Sequence, residues 1–353
     1  MLAKIAFKSK ICLAFIKLKL HYVKSNFSSL PKIELHLHLD CSLSYDVVKQ
    51  IKPSISFETY RENFVAPSKC TDLADYISRA VKGFELMQTA EELRLVTLDL
   101  FQQLKADNVI YAEIRFAPLL HLQKGLTAPE VVQTVNEAVT KGMEKTGVQV
   151  GVILCTLRHF DEKQSMETIQ LVEQFEGTNI VGFDIAGDEA GFPIDEHLKA
   201  FTYAKEKGLN VTAHAGEAKG TESVLETLHH FHPKRIGHGV RSVEDKALME
   251  HLKLAHIHLE VCPTSNVQTN VVDNLENHPA DQIFRSGVSM SISTDARTIS
   301  DTTLTKEYGI LQKHFDWGNT HFLRCNMEAI EHAFIAEEKK IALREKILAS
   351  YQS

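Results

Sequence analysis

Ile33-Glu34-Leu35-His36-Leu37-His38-Leu39 is the stretch from which the fold is read. It is short, largely apolar and bounded by Pro31, as a buried strand would be. His36 and His38 stand two apart, so on a strand they share one face, and their apolar surroundings put that face in the interior. Seven further β-rich runs follow, at 109–117, 149–157, 180–187, 210–217, 235–240, 256–263 and 289–296. Between them lie amphipathic stretches such as 128–146, 194–207 and 243–253. Strand–helix alternation of this kind reads as βαβ units on a parallel sheet, and eight strands predict closure. The expected fold is α/β: a TIM-type (β/α)8 barrel with a helical insertion after the first strand. That insertion spans roughly 44–107, with 73–84 and 90–104 as its clearest helices, and is expected to lie over the C-terminal face as a lid.

The rest of the chain fits one domain, 31–353, with no linker, repeat or low-complexity segment. A chain of 353 residues with 44% hydrophobic and 24% charged residues can bury a large core. A net charge of −7 argues against nucleic acid as a partner. The six cysteines, Cys12, Cys41, Cys70, Cys155, Cys262 and Cys325, form no C-x-x-C pair and read as reduced thiols. Residues 1–30 stand apart. They carry Lys4, Lys8, Lys10, Lys17, Lys19 and Lys24, and the first acidic residue is Glu34. The apolar run at 11–16 is cut by Lys17, too soon for a membrane span, and no clean cleavage site follows. This segment is set aside as a basic extension, disordered or targeting. The expected location is cytoplasmic, or mitochondrial if the extension is a presequence, and no membrane partner is expected.

The polar residues that stand out fall near strand ends, where a parallel barrel builds its site. The fifth run ends in Thr212-Ala213-His214-Ala215-Gly216-Glu217, the sixth in Gly237-His238-Gly239, and the eighth in Ser293-Thr294-Asp295. Four histidines, a glutamate and an aspartate at one end of their strands are hard to explain by packing. Burying them costs several kcal/mol unless they coordinate or hydrogen-bond one another. His36, His38, His214 and Asp295 suit one zinc ion per chain, with a coordination position left open for water. His238 can orient or deprotonate that water. Glu217, if apolar surroundings keep it protonated, can give a proton to the substrate.

The motif Pro31-Lys32-Ile33-Glu34-Leu35-His36-Leu37-His38-Leu39-Asp40 resembles the opening of the adenosine deaminases. So do Asp184-Ile185-Ala186-Gly187-Asp188-Glu189, His214-Ala215-Gly216-Glu217, Arg235-Ile236-Gly237-His238-Gly239, Cys262-Pro263-Thr264-Ser265-Asn266 and Ser293-Thr294-Asp295, in the family's order. The resemblance covers residue 31 to the end. It implies zinc on His36, His38, His214 and Asp295, protonation of purine N1 by Glu217, and attack of water at C6 with His238 and Asp295 orienting it. It also implies that Gly187 N–H meets purine N3 and that Asp40 binds the ribose 5′-hydroxyl. The implied substrate is a purine nucleoside. Two positions depart from the pattern. Cys41 stands where glycine is usual. Ala296 stands where a second aspartate usually meets purine N7, and alanine cannot make that bond; Arg297 beside it is either a substitute or an ion-pair partner. Three alternatives stay open: a deaminase of a related 6-substituted purine, a catalytically silent nucleoside-binding relative, and a different barrel metallohydrolase.

Overall fold

The computed structural model describes residues 27–351. Eight parallel strands run in chain order: β1 (Lys32–His38), β2 (Val109–Phe116), β3 (Gln149–Leu157), β4 (Ile180–Ala186), β5 (Thr212–Ala215), β6 (Arg235–His238), β7 (His258–Val261) and β8 (Ser289–Ile292). They hydrogen-bond as two four-stranded sheets, β1–β4 and β5–β8. The expected ring is present in strand order but not as one continuous ladder. At one seam a single pair, Phe183 with Val211, joins β4 to β5. At the other, Leu37 pairs with Asp295; Asp295 N–H donates to His36 O at 3.0 Å and His38 N–H to Asp295 O at 2.7 Å.

All eight strand expectations hold, but β5 to β8 are shorter than their sequence runs. Backbone geometry gives the reason. His238 (φ 60°), Gly216 (66°), Gly239 (65°) and Asp295 (63°) are left-handed, which a strand cannot continue through. Glu217 and Asp295 therefore lie in the turns beyond β5 and β8 rather than within the strands. Pro263 begins a short helix directly after β7.

The insertion after β1 folds as short helices, Tyr45–Ile51, Phe57–Phe64, Leu73–Ile77 and Ala80–Phe84, ahead of the long helix Ala90–Ala106. The single helix expected at 73–84 is broken at Ser78-Arg79, because its two halves have different tasks. Leu73 and Tyr76 join Ala66, Cys70, Ala296 and Ile299 in a small apolar cluster. The second half brings Gly83 onto the main chain of Asp40, where an added Cβ would lie 2.0 Å from Asp40 O. Helix propensity alone favours alanine at position 83 by about 0.5–1 kcal/mol. Gly83→Ala is nevertheless expected to destabilise the protein by about 1–3 kcal/mol, because the clash is with backbone that cannot rotate away. A thermal midpoint that rises in this variant would contradict the packing.

The folded body begins slightly before Pro31. Phe27 is buried edge-on to Phe322, with ring centroids 5.0 Å apart, and Leu30 is buried too. Residues 1–26, with Cys12 and the lysines of the basic extension, lie outside the described residues. The other five cysteines are free thiols. At the opposite end of the chain, Asn326 accepts a hydrogen bond from Ile33 N–H at 2.7 Å and donates to Tyr351 Oη at 3.1 Å. The C-terminal helices Asn319–His332 and Glu337–Tyr351 are thereby tied to the start of β1.

Candidate active site

His36 and His38 project from one face of β1, His214 from β5, and Asp295 from the turn after β8. Together they form a cluster whose ligand atoms all lie within 4.8 Å of one another. His38 Nε2 is 3.2 Å from His214 Nε2. Asp295 Oδ1 is 3.4 Å from His36 Nε2 and 3.5 Å from His38 Nε2. His36 Nε2 is buried and has no hydrogen-bond partner, which is costly unless a Lewis acid takes the lone pair.

The far side of two rings explains why their Nε2 atoms face inward. His36 Nδ1 meets Glu260 Oε2 at 2.8 Å, and His214 Nδ1 meets Asp184 Oδ2 at 3.1 Å. A carboxylate can only accept, so each Nδ1 carries its proton and each Nε2 lone pair points into the cluster. Asp184 and Glu260 are held in turn by Arg115, at 2.6 and 2.7 Å. Arg235 joins Glu260 at 2.7 Å to Glu113 at 2.5 Å. Three buried carboxylates face two guanidiniums, which leaves one negative charge. Asp295 adds a second: burial opposes its ionisation, but the neighbouring imidazoles of His36, His238 and His38 hold its carboxyl well below the usual range. A divalent cation balances that surplus, and the N/O donor set fits zinc.

Glu217 is 4% exposed and does not pair with Lys219 among the described residues. Burial, followed by the charges of Asp295 and Glu189, pushes its pKa well above the usual carboxylate value, so it holds its proton. Its Oε2 lies 3.5 Å from His238 Nε2. The loop that carries it is clamped by Glu189. That carboxylate accepts from the N–H groups of Gly216, Glu217, Ala218 and Lys219 at 2.5–3.0 Å and from Ser223 Oγ at 2.5 Å. His238 is kept neutral by burial and by its neighbour His36, and its Nδ1 meets Asn266 Nδ2 at 3.0 Å. Ser265 Oγ donates to Asp295 Oδ2 at 2.7 Å.

The remaining expected residues occupy the same end of the strands. Asp40 follows β1, is buried, and has its pKa pushed up to about 6 by desolvation; Cys41 Sγ lies 3.6 Å from its Oδ1. Gly187 follows β4 with φ +100°, a conformation that favours glycine. Ala296 is buried in the apolar cluster with Tyr76 and Ile299. Arg297 is committed elsewhere: it bonds Glu34 at 2.6 Å and Asp107 at 3.1 Å. The suggestion that it replaces a lost purine contact is thereby corrected, and the ion-pair alternative stands. Sequence reasoning missed Arg115 and Glu260, and quoted Asp184, Glu189, Arg235, Ser265 and Asn266 only inside motifs, without roles. A usable signal existed, because charged residues inside otherwise apolar parallel strands must be paired.

Three imidazoles and a carboxylate converging within 4.8 Å at one end of parallel strands, with a buried carboxyl beside them, are an arrangement suited to a metal-dependent hydrolase. Residues 31–350 match the protein-family model described as Adenosine deaminase. The adenosine deaminase of Enterococcus faecalis is 37% identical over 335 residues, covering 93% of this chain and 99% of that protein. The chain belongs to the adenosine deaminase family, whose members are hydrolases acting on carbon–nitrogen bonds in cyclic amidines. Among solved structures, the adenine deaminase of Arthrobacter aurescens superposes with a TM-score of 0.85 at 24% identity, covering 92% of this chain and 100% of that one. The N6-methyl-AMP deaminase of Arabidopsis thaliana gives 0.81 at 23% identity, covering 92% and 98%. These two share the fold.

Proposed function

We propose that this protein hydrolyses adenosine and 2′-deoxyadenosine to the corresponding inosines and ammonia, as a purine-salvage enzyme dependent on one zinc ion per chain. The observation that carries this reading is the buried Glu217 carboxyl standing beside a four-donor cluster of three imidazoles and a carboxylate. His36, His38, His214 and Asp295 would hold the metal. When bound, zinc acts as a Lewis acid that makes water nucleophilic near neutral pH. Glu217 donates its proton to purine N1, which makes C6 electrophilic. His238 and Asp295 position the water that adds to C6, and ammonia leaves. Asp40 receives the ribose 5′-hydroxyl and Gly187 N–H meets purine N3. A full donor set with both proton-handling groups is the ground for preferring an enzyme to a silent nucleoside-binding relative. No helix among the described residues is long and apolar enough to cross a membrane, and a cytoplasmic location belongs to the proposal. Ammonia release measured across adenosine, 2′-deoxyadenosine, adenine, AMP and N6-methyl derivatives tests it; failure on both nucleosides would overturn it.

One observation favours a second reading, a related 6-substituted purine. Ala296 presents no donor, and its neighbours Ala66, Cys70, Tyr76 and Ile299 make that wall apolar. If adenosine is the substrate, Ala296→Asn restores a donor toward N7 and lowers KM about 2- to 12-fold, the equivalent of about 0.5–1.5 kcal/mol, with kcat little changed. A KM that stays level or rises in this variant supports the related purine instead.

A further inference from the structure

The position of the proton on His238 is decided two side chains away, by a main-chain amide. Ala280 N–H donates to His278 Nδ1 at 3.1 Å. A backbone N–H can only donate, so that ring nitrogen must offer a lone pair. His278 is buried and neutral, with its pKa pulled down to about 3 by desolvation. Its one proton therefore sits on Nε2, which lies 3.2 Å from Asn266 Oδ1. The orientation of the Asn266 amide follows: its oxygen faces the His278 donor, and its NH2 faces His238 Nδ1 at 3.0 Å. His238 Nδ1 accepts, so the ring proton is on Nε2, the nitrogen 3.5 Å from Glu217 Oε2.

The chain cannot be reversed by turning one group over. If Asn266 flipped, its NH2 would confront His278 Nε2–H. If His278 then changed tautomer, its Nδ1–H would confront Ala280 N–H. Each step brings donor against donor in a buried place.

We propose that Asn266 and His278 are positioning residues that hold His238 as its Nε2–H tautomer, so that His238 donates a hydrogen bond to the oxygen adding at C6 and does not take its proton. This rests on the deaminase reading above and settles which of the two roles considered for His238 it performs. The proton balance then falls to Glu217. Once its proton is on N1 it is a carboxylate. It takes the proton lost by the attacking water as the C6–O bond forms and passes that proton to the leaving amine as the C6–N bond breaks. It is reprotonated from the C6 hydroxyl as the carbonyl forms.

The test is spectroscopic. In zinc-loaded protein carrying 15N-histidine, the His238 side-chain signals, assigned by their absence in His238→Gln, should show the proton on Nε2. In Asn266→Asp the carboxylate accepts from both rings, and a proton should appear on His238 Nδ1. In the same variant kcat should fall about 10²-fold, the usual cost of losing one donor to a developing oxyanion, with KM nearly constant. His278→Gln retains a donor toward Asn266 and should retain the wild-type His238 signature; His278→Ala removes the anchor and should populate both tautomers. A merely structural role for these residues would lower thermal stability without moving the 15N signals. Wild-type protein with its proton on Nδ1, or Asn266→Asp that leaves Nδ1 unprotonated, overturns the proposal. Should Asn266→Asp fail to fold, the wild-type spectrum alone decides. The spectrum needs no substrate, so the two readings fail separately. An Nε2 proton in a protein inert toward adenosine sinks the substrate assignment and leaves the tautomer standing, whereas an Nδ1 proton in an active enzyme sinks only the tautomer.

Discussion

Glu217→Gln is expected to bind substrate normally and to lose at least about 10²-fold in kcat, as befits removal of a general acid. The substitution is unusually clean here. Burial and the neighbouring Asp295 and Glu189 keep the Glu217 carboxyl protonated, so the native side chain is already neutral. Glutamine matches its charge and its shape. The clamp made by Glu189 reaches the main chain of the loop and Ser223, not the Glu217 side chain, so the loop should hold its place. What glutamine lacks is a proton acidic enough to move to a ring nitrogen. Measured kcat and KM, with the thermal midpoint as a control for folding, check this; turnover within about threefold of wild type would remove Glu217 from the proposed role.

Chelation is expected to abolish turnover and to lower the thermal midpoint, with both restored by zinc. The activity loss follows from the water-activating chemistry that the four ligands would support. The stability loss follows from charge and from linkage. Without a cation, the surplus on Asp295 and the Asp184–Arg115–Glu260 network is uncompensated in a buried place. A ligand present at 100 times its dissociation constant stabilises the native state by about 2.7 kcal/mol. Elemental analysis of gently purified protein should find about one zinc per chain. No transition metal, together with full activity after chelation, would sink the metal assignment.

Much of this architecture was legible in the chain. The H-x-H pair on a short apolar run marks a strand with a polar face turned inward, and the β-rich runs mark the ring. The ends of β5 to β8 were less legible, because left-handed residues such as His238 and Asp295 look from sequence like ordinary continuations of a strand. The broken helix at Ser78-Arg79 depends on where Asp40 lies in space, which local periodicity does not encode. The partners of the histidines were hidden for a related reason. Glu260 reaches His36 across 224 positions and Asp184 reaches His214 across 30, so no spacing rule joins them. Asn266 and His278 are only 12 apart, yet their roles follow from hydrogen-bond direction, which no sequence pattern carries.

The two seams of the ring now take on a mechanical meaning. Each half-shell of four strands is laced by a continuous backbone ladder, whereas each lateral join has a single backbone bridge and is otherwise made by side chains. Both joins run through the cluster. His36 and His38 belong to the first half-shell while Asp295 and His214 belong to the second, and the His214–Asp184 contact spans the other join. The four residues of the proposed metal site therefore come from both half-shells. An ion seated there would tie the two half-shells together across joins that the backbone itself bridges sparsely.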